Sequence, residues 1–319
     1  MTWIASTTLA RRAQFGRFLL GAGNIGGSGS AVGPGIGLSD TEGFGLIDRA
    51  VEEGFKILDT ADFYTRGNSE RVIGLWNKGH PDSDLLIQTK TGVTANGPDL
   101  SPGRVERQLR RSVETLGRVD LYLAHTVDPK TPWSGTLAVL GGAVQDGRIR
   151  AYGLSNVDEA ALTSALDTAD RLGLPRPELI QNGYSLLVRS DDEAVLPIVE
   201  SEGLAYTPYS PLANGILAGR YSKGEKPAEG SRASTGPRAK GLLDDPTAMK
   251  RVKQFDEIAA EQGVSSACLA LAWVINRPVM TAPIIGISRD SQWRNVREAT
   301  EFPWTEEIAA RLDELFPAK

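Results

Sequence analysis

Ile57-Leu-Asp-Thr-Ala-Asp-Phe-Tyr64 reads as a short apolar strand that runs directly into polar and ionisable side chains. Asp59 ends the strand and Tyr64 follows five residues later, so both reach the same end of whatever sheet holds it. An acid and a phenol at a strand's carboxyl end are poor core material and suit a site. The pattern recurs down the chain. Leu85-Leu-Ile-Gln-Thr-Lys90 ends on Lys90, and Val119-Asp-Leu-Tyr-Leu-Ala-His125 ends on His125. Ile149-Arg-Ala-Tyr-Gly-Leu-Ser-Asn156 ends on Ser155 and Asn156, Leu179-Ile-Gln181 on Gln181, and Ala205-Tyr-Thr207 leads to Tyr209.

Helical signals separate these strands. Ser39-Asp-Thr-Glu42 fits a capping box, with Ile47, Ala50 and Val51 at helical spacing behind it and Gly54 placed to end the helix. Further helices are expected over 69–76, from Ser101-Pro102, and over 136–146, 158–172, 193–202 and 265–276, with two more near 291–299 and 305–315. With a first strand at 17–20 and a last at 281–286, eight short strands alternate with helices. Strict alternation means a parallel sheet, and eight units close into an α/β fold of the (β/α)₈ TIM-barrel type with extra C-terminal helices. The polar insertion 219–245 is too long for a simple connection and is expected to be a lid or a disordered segment. Nothing in the sequence marks a domain boundary, so 1–319 reads as a single barrel domain.

Composition narrows the classes. The 319 residues are 40% hydrophobic and 24% charged, as in a well-packed globular protein. A net charge of −5 supplies no basic face for nucleic acid or an anionic membrane. No stretch approaches the about 18 apolar residues of a membrane span. The one cysteine, Cys268, lies in the apolar run Ala267-Cys-Leu-Ala-Leu-Ala-Trp273, excludes an internal disulfide and fits a reducing, cytoplasmic setting. Arg11-Arg12 before Phe18-Leu-Leu20 is a faint twin-arginine pattern, but an apolar run of three residues is no h-region.

Gly21-Ala-Gly-Asn-Ile-Gly26 matches a dinucleotide fingerprint, which also requires a helix opening at its third glycine. The chain continues Gly27-Ser-Gly-Ser-Ala-Val-Gly-Pro-Gly-Ile-Gly37, and each glycine costs a helix about 1 kcal/mol. The stretch is read as a loop after the first strand.

In a barrel, all the strand ends named above meet on one face. Taken with Ser69-Glu-Arg-Val-Ile-Gly74, Gly153-Leu-Ser-Asn156, Gln181-Asn-Gly-Tyr-Ser-Leu186 and Tyr209-Ser-Pro-Leu-Ala-Asn-Gly215, they resemble the signatures of the aldo-keto reductases from about Leu20 to Ala299. Within that family the chain is more similar to the aflatoxin-aldehyde and bacterial sugar reductase branches than to the hydroxysteroid dehydrogenases. The resemblance implies NADPH-dependent reduction of an aldehyde or ketone, with a catalytic tetrad at Asp59, Tyr64, Lys90 and His125. The chemistry suits these residue types. Hydride arriving at a carbonyl carbon leaves an alkoxide that needs a proton, and an unperturbed phenol, with a pKa of about 10, is too weak an acid. A lysine ammonium stabilises the phenolate, a carboxylate anchors the lysine, and a neutral imidazole orients the carbonyl oxygen.

For the cofactor, the resemblance implies Ser155, Asn156 and Gln181 at the nicotinamide carboxamide and Tyr209 stacked on the ring. Ser210, Leu212 and Asn214 would line the pyrophosphate. Gly286, Ser288 and Arg289 would hold the 2′-phosphate of NADPH, because a guanidinium forks onto phosphate; NADH is the less favoured cofactor. Gln292 keeps its expected place beside the adenine. The family's usual Glu-Asn pair is replaced by Asn295 and Val296, so Asn295 is the candidate there. Phe63, Thr126, Val127, Trp133 and the loop 92–100 are expected to wall the substrate pocket, with the tail after Ala299 closing it. No metal ligand set is expected. The rival readings are a non-catalytic NADP(H)-sensing subunit, a carboxylate-pair hydrolase and a nucleotide-binding fold at Gly21–Gly26. The second would leave Lys90, Tyr209 and Arg289 without a role.

Overall fold

Eight short strands alternate with helices along the chain, as the sequence predicts. A computed structural model describes residues 2–5, 7–27, 37–227 and 232–318. The barrel strands are β1 (Leu19–Gly21), β2 (Ile57–Asp59), β3 (Leu86–Thr91), β4 (Leu121–Ala124), β5 (Ala151–Ser155), β6 (Leu179–Gln181), β7 (Ala205–Tyr206) and β8 (Ile284–Ile285). All pair in parallel in the order β8-β1-β2-β3-β4-β5-β6-β7. A bridge between Tyr209 and Ile284, with Ile284 N–H donating to Pro208 O at 2.8 Å, joins the two end strands and closes the barrel.

Alternation sorts the core into two layers. Leu19, Ile57, Leu121, Leu123, Ala151, Leu179, Ala205 and Ile284 point inward and form an interior cluster. Their neighbours Leu20, Leu58, Ile87, Tyr122, Tyr152, Leu154, Ile180 and Tyr206 point outward into a larger shell packed under the helices. The shell helices are α2 (Asp40–Glu52), α3 (Asn68–Gly79), α4 (Pro102–Leu116), α5 (Trp133–Gln145), α6 (Glu159–Leu172), α7 (Val195–Ser201), α10 (Pro246–Glu261) and α11 (Ser266–Asn276). The Ser39–Glu42 capping box is formed in both directions. At Gly74 α3 comes so close to α4 that an added Cβ would lie 1.9 Å from Thr115 O.

An N-terminal helix, α1 (Thr8–Phe15), was not legible in the sequence. It closes the amino end of the barrel, where Phe15 is fully buried in the interior cluster, a burial worth about 1.5–3 kcal/mol. Arg12 belongs to this plug: its guanidinium donates to Met280 O at 2.9 Å and Arg277 O at 2.7 Å. Glu178, just before β6, accepts from the backbone of Trp3 and Ile4 and holds the segment in place.

One expectation is corrected, and two segments gain structure that the sequence did not show. The first strand starts two residues later than 17–20. The loop 92–100 contains a small hairpin, Val93–Thr94 against Gly97–Pro98. The insertion 219–245 folds into α8 (Arg232–Thr235) and α9 (Pro237–Leu243), with Ala233 and Ala239 buried in the shell core. These alanines supply the apolar face that its polar composition concealed. Residues 228–231 of this insertion, and 28–36 of the glycine-rich stretch, lie outside the described residues. The tail forms α12 (Ser291–Glu301) and α13 (Glu306–Leu315), and Asp313 of α13 pairs with Arg189 and Arg277.

Candidate active site

Inward-facing positions at the carboxyl ends of the strands bring Asp59 (β2), Lys90 (β3), Ser155 (β5) and Gln181 (β6) to one end of the barrel. Lys90 is fully buried. Its Nζ donates to Asp59 Oδ1 and Oδ2, both at 2.7 Å, and to Thr60 O at 2.7 Å. It also contacts the Tyr64 hydroxyl, with Nζ 5.1 Å from the ring centroid. Burial alone would lower the pKa of an ammonium, but the Asp59 carboxylate, and after it Tyr64, hold Lys90 above its ordinary value. A fixed positive charge therefore stands between a carboxylate and a phenol.

Tyr64 opens a single 3-10 turn, Tyr64–Gly67, in which Thr65 and Arg66 are left-handed. His125 packs edge-on to it, with ring centroids 5.7 Å apart at 80°. Burial first, and the Lys90 charge second, push the imidazole down to about 3, so the ring is neutral at physiological pH. Its Nδ1 is buried without a hydrogen-bond partner among the described residues. Asp59, Tyr64, Lys90 and His125 thus form one connected group.

Beside it, Asn156 adopts a left-handed φ of 56°, a region its short amide tolerates. Its Nδ2 donates to His125 O at 2.8 Å, and its Oδ1 accepts from the Tyr209 hydroxyl at 2.7 Å. Ser155 Oγ donates to Gln181 O at 2.7 Å. Beyond Tyr209, Ser210, Ala213 and Asn214 are all left-handed, followed by Gly215. Such runs of strained residues cluster at functional loops. A cavity of about 290 Å³ opens there, walled by Tyr209, Ser210 and Asn214, by Gly183 and Tyr184 after β6, and by Leu242 of α9. Tyr209 links this cavity to His125 through Asn156. Leu212 is partly buried against the shell core.

At the loop after β8, Gly286, Ser288 and Arg289 are exposed. Gln292 Oε1 accepts from the backbone of Ser288 at 2.7 Å and of Arg289 at 2.9 Å, which fixes the loop's shape. The Arg289 guanidinium has no ion pair or hydrogen bond among the described residues. Asn295 Oδ1 accepts from Ser265 Oγ at 3.0 Å, and Val296 is buried in the shell core. Of the residues expected at the substrate, Phe63 directly precedes the Tyr64 turn, Thr126 follows His125, and Trp133 begins α5 and packs against the shell. The 92–100 and 126–131 loops are tied together, because Asp128 Oδ2 accepts from both Leu100 N and Thr131 Oγ1.

One residue of this end was missed. Gln88 is fully buried and donates to Asp59 Oδ1 at 2.5 Å, and Gln181 Nε2 donates to the same oxygen at 3.1 Å. The signal was present in Leu86-Ile-Gln-Thr-Lys90, where a period of two puts Gln88 on the face of Lys90. Among the described residues no three His, Cys, Asp or Glu side chains converge as a metal-ligand set, and no single helix is long and apolar enough to cross a membrane. Cys268 is buried and unpaired, and burial pushes its thiol up to about 11.

Comparison with known proteins bears on the same region. The model of the Aldo/keto reductase family matches residues 19–316. An uncharacterized oxidoreductase of Bacillus subtilis, YrpG, is 29% identical over 299 residues, covering 89% of both chains. A putative voltage-gated potassium channel subunit beta of Schizosaccharomyces pombe is 33% identical over 285 residues, covering 84% of this chain and 82% of its own. Among solved structures, the glycerol dehydrogenase of Gluconobacter oxydans superposes with a TM-score of 0.80 at 24% identity, over 94% of this chain and 90% of that one. That likeness is one of fold.

Proposed function

Since this chain belongs to the aldo/keto reductase family, we propose that it is an NADPH-dependent reductase of a small aldehyde or ketone, with Tyr64 as proton donor. The observation that carries the reading is the Lys90 ammonium held between the Asp59 carboxylate and the Tyr64 hydroxyl. A buried lysine used only for stability has no need of a phenol beside it.

The residues fit a nicotinamide dinucleotide. The left-handed run at Ser210, Ala213 and Asn214 borders a cavity, and the Arg289 guanidinium, without an ion pair or hydrogen bond among the described residues, matches a phosphate. In this reading Ser155, Asn156, Gln181 and Tyr209 hold the nicotinamide end, Leu212 and Asn214 line the middle, and Gly286, Ser288, Arg289, Gln292 and Asn295 hold the adenosine end. When bound, the cofactor supplies the hydride. The Tyr209 hydroxyl donates to Asn156 Oδ1, which ties the two residues of the nicotinamide end together.

The chain's own part is proton delivery. His125, neutral and edge-on to Tyr64, donates a hydrogen bond to the carbonyl oxygen and aims it at the phenol. The Tyr64 hydroxyl passes its proton to the developing alkoxide, and Lys90 stabilises the phenolate left behind. Asp59 keeps Lys90 charged and in place. Phe63, Thr126 and Trp133 wall the substrate. One barrel over 1–319 suffices for the whole site, and a cytoplasmic setting is part of the same proposal.

The test is turnover of a generic aldehyde, followed by NADPH oxidation, in the wild type and in Tyr64→Phe. The expected loss of kcat in the variant is about 10²–10⁴-fold with unchanged NADPH affinity. A variant that keeps most of the rate removes Tyr64 from the mechanism. Tight NADPH binding without turnover of any carbonyl would favour a cofactor-sensing regulatory subunit instead.

A further inference from the structure

We infer that Gln88 is a positioning residue of this site, clamping the Asp59 carboxylate from below so that Lys90 keeps its ammonium on Tyr64. The inference rests on the roles given above to Asp59, Lys90 and Tyr64.

Strand register carries the first step. Asp59 and Gln88 are Cα partners in the β2–β3 ladder, and Gln88 precedes Lys90 by two residues on the same inward face. Gln88 therefore lies one layer deeper in the barrel than Lys90, directly beside the carboxylate. Its Nε2 donates to Asp59 Oδ1 at 2.5 Å, an oxygen that also accepts from Lys90 at 2.7 Å and Gln181 at 3.1 Å. Oδ2 accepts from Lys90 alone among the described residues, again at 2.7 Å.

Cost argues that this is more than packing. Gln88 is fully buried, and its Oε1 has no hydrogen-bond partner among the described residues. A buried unpaired carbonyl destabilises the fold, and an apolar side chain of similar size would fill the same space without that cost. What an apolar residue cannot do is donate to Asp59. Two neutral amides filling Oδ1 disperse part of its negative charge, and they fix the carboxylate plane. Lys90 is then less neutralised by its anchor, and more of its field reaches the phenol. Removing the Gln88 amide returns that charge to the Asp59–Lys90 pair and weakens the help given to the Tyr64 phenolate.

The experiment compares wild type, Gln88→Met and Gln88→Glu across pH. Methionine keeps the shape and removes the donor. In Gln88→Met the alkaline limb of kcat moves upward by about one unit, the worth of one hydrogen bond to a charged group, and kcat at neutral pH falls about tenfold. KM and NADPH affinity stay unchanged. In Gln88→Glu a protonated carboxyl still donates to Asp59, so activity is near wild type at low pH and is lost as that carboxyl ionises. A second readout needs no turnover: the tyrosinate absorbance titration, taken as the difference between each protein and its Tyr64→Phe counterpart, moves to higher pH by about one unit in Gln88→Met. Superimposable kcat profiles and titrations in wild type and Gln88→Met would overturn the inference, as would a Gln88→Glu enzyme whose profile matches wild type throughout. If Gln88→Met does not fold, the Gln88→Glu profile decides. If the wild type reduces no carbonyl, the reductase reading falls while the absorbance titration still decides the clamp.

Discussion

Asp59→Asn isolates the electrostatics of the site from its chemistry. The carboxylate is almost fully buried, and both its oxygens lie 2.7 Å from a fully buried ammonium. Asparagine keeps the shape but must place an NH₂ against Lys90 Nζ. With its oxygen at the Oδ1 position it retains Gln88 and Gln181 as donors, and the nitrogen then faces the ammonium at Oδ2. Breaking one side of a buried pair costs about 3–5 kcal/mol, because the surviving charge is left in a poor dielectric. In the folded variant this lowers the Lys90 pKa, because burial is no longer opposed by the carboxylate. The pH dependence has a defined sign. Wild-type Lys90 is raised above its ordinary value, so its stabilisation is complete below the unfolded value of about 10.4 and is lost as pH rises through the folded pKa. In the variant the folded pKa is depressed, so the unfolded chain binds more protons between that pKa and about 10.4, and stability rises with pH there. The gap between the two proteins is therefore greatest near neutral pH and narrows toward pH 10. Urea unfolding followed by tryptophan fluorescence at several pH values measures it. A gap below about 1 kcal/mol at pH 7, or one that stays constant to pH 10, would refute a buried, mutually dependent Asp59–Lys90 pair.

Other predictions test separate parts of the molecule. Arg289→Ala should weaken NADPH binding about 10–100-fold, the value of a charge-assisted phosphate contact, while NADH affinity barely changes; equal losses for both would show that Arg289 does not read the phosphate. His125, pushed down to about 3, should make the protein lose stability as pH falls from about 6.5, because the unfolded chain takes up a proton that the folded ring refuses. His125→Gln should flatten that part of the acid-unfolding curve, and an unchanged curve would place the lost stability elsewhere. Gly74→Ala should cost about 1–3 kcal/mol by forcing α3 away from Thr115 O, 1.9 Å from the added methyl, with a lowered Tm as the readout.

What could be read from the linear chain was local. Short apolar runs that end on Asp59 and Lys90 marked strand ends, the capping box opened α2, and eight alternating units announced a closed barrel. Those features depend on neighbours a few residues apart, and composition records them directly. The helices within 219–245 were not legible because their buried face is made by two alanines, Ala233 and Ala239, among polar residues, with Leu242 and Leu243 packed beside them. The plug helix α1 was missed because its stability comes from carbonyls and core residues more than a hundred positions away, such as Met280 O for Arg12.

The sequence by itself determined the barrel, the face on which the ionisable strand ends meet, and the residue types that make a phenol–lysine–carboxylate site. Tertiary structure decided which groups touch. Gln181 reaches Asp59 across 122 residues, Tyr209 reaches Asn156 across 53, and Gln88 joins them only because the β2–β3 register sets it opposite the carboxylate. Hydrogen bonds of that kind are fixed by barrel closure and strand stagger, to which every strand contributes. No local pattern encodes them.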